Sequence, residues 1–282
     1  MTDPDDHRAF VVEHWPELGV GSFEPLGGGW DCFTYLANGE WVFQFPRLPG
    51  AGERLRKQIA VLPEIAREVS SAVPIPMYVS TDPVCVGYRR IAGRPMSSSV
   101  DGIWPERLGR FLYDLHLTPP EFVGMRSTTA AAVRDGFLEE VASLSVHVLP
   151  LLDAGERSRA ERAVGEFFDD GDNFRFAPCL RHGDIGPEHV LVTETGDLAG
   201  VIDWGDIEVG DPVFDLAWML HAMLAEGERA LGAYGGPPDD RFFVRARFVF
   251  LLMPWHEVKH GVETAQPAFV ERGLAGVRER LD

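Results

Sequence analysis

The chain carries a polar stretch, His182–Gly183–Asp184, set between apolar runs, with His189 five residues after Asp184 and Asp203 nineteen residues after it. Phosphoryl transfer needs little more than an aspartate that orients and deprotonates an attacking hydroxyl, and ligands that hold magnesium on the phosphates. Asp184 is the candidate base. His189 and Asp203 are candidate metal-facing ligands. Each residue alone is weak evidence: a lone histidine is more often structural, and an aspartate after glycine is often a turn residue. The ordered combination is more specific. An HGD loop followed by GVIDWGD (200–206) and GDPVFDLA (210–217) is hard to explain by packing alone.

These groups must be positioned by the elements around them. The apolar run 198–202, reached across Thr195–Gly196, predicts a hairpin that converges a loop and two strands. Before it, the first ninety residues read as mixed: an opening helix over 4–15, short strands over 23–26 and 31–37, and a hairpin turn at Asn38–Gly39 returning through 40–45. Leu55, Ile59, Leu62 and Ile65 recur at helical spacing, predicting a helix over 53–69 that Pro63 should kink or break. Strands over 75–80 and 84–91 follow, and Ala92–Gly93–Arg94–Pro95 reads as a hinge. Beyond it come helices over 105–117, 128–148, 154–168, 213–224, 239–252 and 267–281. The expectation is an α+β chain of two lobes, a β-rich lobe over 1–92 and a larger helical lobe over 93–282 with an inserted hairpin, and a cleft between them.

Composition narrows the partners. Among 282 residues, 44 acidic against 26 basic side chains give a formal net charge of −18, which disfavours nucleic acid. The excess suits a cationic small molecule, since carboxylate-lined clefts concentrate cations, although solubility alone explains it equally well. The apolar run 248–255 is too short to span a bilayer, and the acidic start MTDPDDHRAF lacks an apolar signal core. A cytoplasmic protein, a monomer or weak dimer with no membrane partner, is expected. Cys32, Cys85 and Cys179 are few and far apart, as expected of free thiols rather than a disulfide framework or zinc ribbon.

The pattern through His182–Asp184, His189, Ile202–Asp206 and Gly210–Ala217 resembles the aminoglycoside phosphotransferase family, relatives of the eukaryotic-type protein kinases, and is closest to members that modify the 2″-hydroxyl. The resemblance implies a bilobal kinase-like fold, Asp184 as catalytic base and Asp203 as the principal Mg2+ ligand. His189 stands where asparagine is common, as in some antibiotic kinases of the family. Imidazole suits magnesium less well than an oxygen ligand, so it can act through water or contact phosphate. Gly27–Gly28–Gly29 is similar to the loop covering the nucleotide, where backbone amides approach phosphates. Tyr88 falls at the back of the base pocket, where its bulk favours GTP over ATP. Arg89 and Ile91 fall where backbone groups meet the base. His182, Asp211 and Asp215 fall among the structural supports, with Asp211 opening a helix near Pro212.

Two positions depart from the family. Gln44 stands where a β3 lysine is expected, and Gln58 where its glutamate partner is. Losing both charges together is electrically balanced. Gln44 retains an amide that can donate to a phosphate, alongside Arg47 as a replacement cation. The same departures also fit a nucleotide-binding protein without activity.

The acceptor is inferred from charge. A polyamine acceptor wants carboxylates facing Asp184, and Asp206, Glu208 and Glu257 are the candidates, with Trp255 and His256 as neighbours. An aminoglycoside, phosphorylated to confer resistance, is the leading acceptor. A choline- or homoserine-like metabolite, and a peptide or macrolide antibiotic, are the alternatives. A protein kinase fits least, since no activation segment separates Asp203 from Asp211.

Overall fold

The computed structural model describes residues 4–27, 29–96 and 101–281. It opens with helix α1 (Pro4–His14) and strands β1 (Phe23–Pro25), β2 (Cys32–Ala37) and β3 (Trp41–Pro46). Asn38 and Gly39 turn β2 into β3 with φ of 55° and 70°, a left-handed pair that asparagine and glycine adopt at least cost. The Asn38 side chain also accepts hydrogen bonds from the Gly21 and Ser22 amides, pinning the chain ahead of β1. Strands β4 (Pro76–Thr81) and β5 (Val84–Arg89) complete an antiparallel sheet ordered β1-β2-β3-β5-β4.

Both faces of this sheet are covered. Phe10 and Val11 of α1 pack on Tyr35, Phe43, Phe45 and Cys85. On the other face lies helix α2 (Ala51–Glu68), whose Leu55 packs with Val42, Val84, Val86 and Tyr88. Farther along, Val61, Leu62 and Ile65 enter the core of the helical lobe, so α2 spans both lobes. The expected break at Pro63 does not occur, because α2 runs on to Glu68. Buried apolar side chains on either side of the proline hold the turn against the one missing backbone bond.

The second lobe is mainly helical: α3 (Trp104–Leu117), α4 (Ala130–Val148), α5 (Ala154–Asp169), α6 (Ala217–Ala222), α7 (Leu224–Tyr234), α8 (Phe242–Glu263) and α9 (Pro267–Leu281). The apolar face expected on α3, formed by Leu108, Phe111, Leu112 and Leu115, is fully buried. Helix α8 runs eleven residues past its expected end at Leu252, through Pro254, because α9 packs against that turn with Gly273 and Gly276. The helix expected over 213–224 is a 3-10 turn, Pro212–Asp215, followed by α6. Strand β6 (Arg94–Pro95) occupies the expected hinge and pairs with β8 (Val190–Val192), which pairs in turn with β9 (Leu198–Val201). Strand β7 (Cys179–Arg181) pairs with β10 (Glu208–Gly210), three residues that carry no alternation from which a strand could be read. All three cysteines are free thiols, with Cys85 buried and the others half-buried.

Candidate active site

The hairpin assembles the site. Val190 pairs with Val201, and Ile202 donates to the His189 carbonyl at 2.9 Å. This register sets Asp203 beside His189, with Nε2 3.5 Å from Asp203 Oδ2. The opposite ring nitrogen, Nδ1, donates to the Asp184 carbonyl at 2.7 Å and lies 3.4 Å from the Asp184 carboxylate. His189 therefore sits between the two aspartates. Asp203 has φ 64°, a conformation that costs a non-glycine residue about 1–2 kcal/mol and that turns its carboxylate out of the strand. The buried Trp204 holds it there, donating to the Val201 carbonyl at 3.0 Å.

Asp184 follows a braced loop. The Asp215 carboxylate accepts from the His182 and Gly183 amides, each at 2.8 Å, and faces His116 Nε2 at 3.0 Å. His182 is fully buried. Its Nε2 donates to the Ile202 carbonyl and its Nδ1 accepts from the Asp184 amide. Burial lowers its pKa to about 4, so it is neutral, although Asp215 opposes the shift. His182 and Asp215 thus tie the loop to the hairpin and to α3. Asp211 caps the turn at Pro212 through the Val213 amide and pairs with the buried Arg245, which Asp239 also neutralises. Asp211 supports the segment that carries Asp215, rather than the loop directly.

Gly183 has φ 90°, and a Cβ there would stand 2.5 Å from the Asp206 carbonyl oxygen. Gly183→Ala is expected to cost about 1–3 kcal/mol through this clash and to slow turnover by displacing Asp184, checked by thermal unfolding alongside steady-state kinetics.

Three carboxylates crowd the floor. Burial raises the Asp184 pKa to about 6; His189 opposes the rise, while Asp206, Asp203 and Glu188 add to it. Burial likewise raises Asp206, with Asp203 adding, while Arg54 and Lys57 pull it back. For His189 burial works against the charged form, but Asp203 and Asp184 outweigh it and the pKa rises. Among the described residues no three His, Cys, Asp or Glu side chains form a preassembled metal cage. Asp203 Oδ2 and His189 Nε2 offer a partial set, which fits a cation that completes its shell with waters and phosphate oxygens, as magnesium does.

The site opens into a cleft of about 1180 Å3 between the lobes. From the first lobe Gly29, Gln44 and Gln58 reach it. Gly28 lies outside the described residues, and Gly27 (φ 70°) has open space around it. Tyr88 does not line the cleft but closes the core behind it, near enough to Asp203 that this charge adds to burial in raising its pKa. Arg89 faces outward and pairs with Glu40 at 2.7 Å, and the Ile91 side chain packs at Gly200. Arg47 lies over the Phe33 ring, outside the cleft wall.

The acceptor candidates Asp206, Glu208 and Glu257 all line the cleft. Two of them are not free charges: Glu208 is paired with Arg181, which rests on the Phe214 ring, and Glu257 with Arg272 of α9. His256 lines the cleft and faces Glu140 at 3.4 Å. Trp255 is wholly buried and shapes the core instead. The sequence reading missed Glu140, Glu188 and Glu279 on the cleft wall, and with them an apolar stretch including Phe137, Trp218 and Met253. It also missed Trp30, which stacks on His260 of α8 with ring centroids 3.8 Å apart and joins the glycine loop to the helical lobe. Helical spacing places Arg54 and Lys57 on one side of α2, but nothing local shows that this side faces Asp203 and Asp206.

Residues 22–247 match the phosphotransferase enzyme family. A viomycin phosphotransferase of Streptomyces vinaceus is 33% identical over 124 residues, 41% of this chain and 40% of that protein. The uncharacterized protein YcbJ of Bacillus subtilis (strain 168) is 35% identical over 51 residues, 18% of this chain and 16% of that protein. The chain thus matches well under half the length of these relatives. Among solved structures, the GDP and kanamycin complex of an APH(2″)-IIIa superposes with a TM-score of 0.87 at 22% identity, covering 98% of each chain. A macrolide 2′-phosphotransferase from Brachybacterium faecium superposes at 0.75 with 24% identity, covering 97% of this chain and 98% of that one. The bilobal kinase-like fold is shared with both.

Proposed function

Because the chain belongs to the phosphotransferase enzyme family, we propose that it moves the γ-phosphate of ATP or GTP to a hydroxyl of a cationic antibiotic, with an aminoglycoside as the leading acceptor. The observation that carries this reading is the convergence of Asp184, His189 and Asp203 on the floor of a carboxylate-rich cleft.

In this reading Asp184 orients the acceptor hydroxyl and takes its proton as the oxygen attacks phosphorus. Asp203 and His189 would hold magnesium, which when bound draws negative charge from the transferring phosphoryl group. Gly29 and its neighbours cover the phosphates, Tyr88 backs the base, and Arg89 and Ile91 offer it backbone groups. Asp206, Glu140, Glu188 and Glu279 attract the acceptor's ammonium groups. The lobes divide at about residue 92, and the site acts in the cytoplasm within a monomer or weak dimer. No helix among the described residues is long and apolar enough to cross a membrane.

One observation favours a second acceptor class. The arginine partners of Glu208 and Glu257 cancel charge beside the apolar wall of Phe137, Phe214, Trp218 and Met253. That wall suits a peptide or macrolide antibiotic with an apolar face and fewer cations.

Purified protein, supplied with ATP or GTP, magnesium and a panel of aminoglycosides, viomycin, macrolides, choline and homoserine, is expected to release nucleoside diphosphate with an antibiotic. Turnover confined to choline or homoserine would overturn the antibiotic assignment. Failure to bind any nucleotide in calorimetry would overturn the kinase reading itself.

A further inference from the structure

The nucleotide end of the cleft has a charge problem. Asp31, Asp184, Glu188, Asp203 and Asp206 all line the cleft, and a polyphosphate entering it adds further negative charge. Magnesium offsets part of this, and the protein must supply the rest. Strand β3 contributes only the neutral Gln44. The chain has two lysines, and Lys259 is paired with Glu263 on α8. Among the described residues, the cations lining the cleft are Arg54 and Lys57, one turn apart on α2, with Arg181, Arg272 and Arg280. Arg181 and Arg272 are paired with Glu208 and Glu257, and Arg280 donates to the Phe250 carbonyl. Lys57 is committed, since its Nζ donates to the Ile207 carbonyl at 2.7 Å and anchors α2 to the loop carrying Asp203 and Asp206.

Arg54 is placed differently. A methyl group on Gly205, between those two aspartates, would touch its Cδ at 3.8 Å. Its guanidinium reaches Asp31, just beyond the glycine loop, with Nη2 2.5 Å from Oδ2. Its Nε is buried without a hydrogen-bond partner. The guanidinium therefore stands between the loop that would cover the phosphates and Asp203, which would hold the metal, with its Nε unpaired.

Resting on the kinase reading, we infer that Arg54 is the side chain that binds the nucleotide's phosphates, supplying from α2 the cation that β3 lacks. A planar guanidinium can hold two phosphate oxygens at once. It pairs with Asp31 beside the glycine loop, and a phosphate would compete with that carboxylate for it.

The test is calorimetry with guanosine and adenosine, their diphosphates and their triphosphates, with magnesium, on the full chain. Arg54→Gln is expected to weaken triphosphate binding roughly 10- to 100-fold while changing nucleoside binding less than about twofold. Arg54→Lys should recover part of the loss, as should Gln44→Lys added to Arg54→Gln. Asp31→Asn breaks the same ion pair but keeps the cation, and should bind triphosphate as well as the wild type or better. Equal loss for nucleoside and triphosphate, or a loss in Asp31→Asn matching that in Arg54→Gln, would show that Arg54 merely supports the fold and overturn the inference. So would triphosphate binding by Arg54→Gln within twofold of wild type, while leaving the kinase reading intact. A wild type that binds no nucleotide removes both.

Discussion

Asp184→Asn is expected to slow phosphoryl transfer about 10²–10⁴-fold, the usual contribution of a positioned general base, with nucleotide affinity nearly unchanged. Asparagine keeps the side chain's shape and hydrogen bonding but cannot accept the hydroxyl proton. Burial raises the Asp184 pKa to about 6 in the metal-free protein, so wild-type turnover should show an acid limb as this carboxyl takes up a proton, and the residual rate of Asp184→Asn should lack that limb. Magnesium held by Asp203 and His189 would place that limb below pH 6 by favouring the ionised form. Stability should move the opposite way. The folded protein holds the proton until about pH 6, whereas the unfolded chain releases it near 3.8. Between those values the native state binds more protons, so its stability falls as pH rises through that window. Asp184→Asn should therefore match the wild type in melting temperature near pH 4 and exceed it at pH 7. The margin is small, since 55% of the Asp184 side chain remains open to water, which screens the effect. Full activity in Asp184→Asn would remove the residue from the mechanism.

Asp215→Ala is expected to cost about 3–5 kcal/mol, the range for stripping one partner from a buried charged network. The substitution leaves the His182 and Gly183 amides and His116 Nε2 without their acceptor in a site from which water is excluded. It also releases the loop that aims Asp184, so turnover should collapse at temperatures where the variant is still folded. Burial opposes the Asp215 charge, but the hydrogen bond with His116, with the nearby Arg181, outweighs it and holds the carboxyl below its usual range. Its stabilisation is thus present above the unfolded carboxylate value and lost as pH falls through the lower folded one. The cost of Asp215→Ala, measured by denaturant unfolding, should be largest at neutral pH and shrink in acid. A cost below about 1 kcal/mol would mean that the loop is held by something other than this carboxylate.

The cluster proposed to react was legible because its members lie close together in the chain. Asp184, His189 and Asp203 are joined by one loop and one hairpin, and the alternate pairing of two short apolar strands brings His189 opposite Ile202 and so beside Asp203. Most helices were legible for a similar reason, since a buried face at helical spacing is a local property, as in α3. The misreadings came where packing overrode local rules. Pro63 and Pro254 sit inside continuous helices because α2 is buried in two cores and α8 against α9.

By itself, then, the sequence determined the family and the reaction class, and it placed the proposed base and metal ligands within reach of one another, because those depend on contacts across a few tens of residues. Tertiary structure alone decided the electrical character of the cleft. Arg54 and Lys57 come to face Asp203 and Asp206 from α2, some 150 positions away. Glu208 and Glu257, read as free acceptor charges, lose that freedom to Arg181 and Arg272. Trp30 reaches α8 across more than two hundred residues. Whether a charge is free or paired depends on what lies within a few ångströms of it, and at such separations only the folded chain decides that.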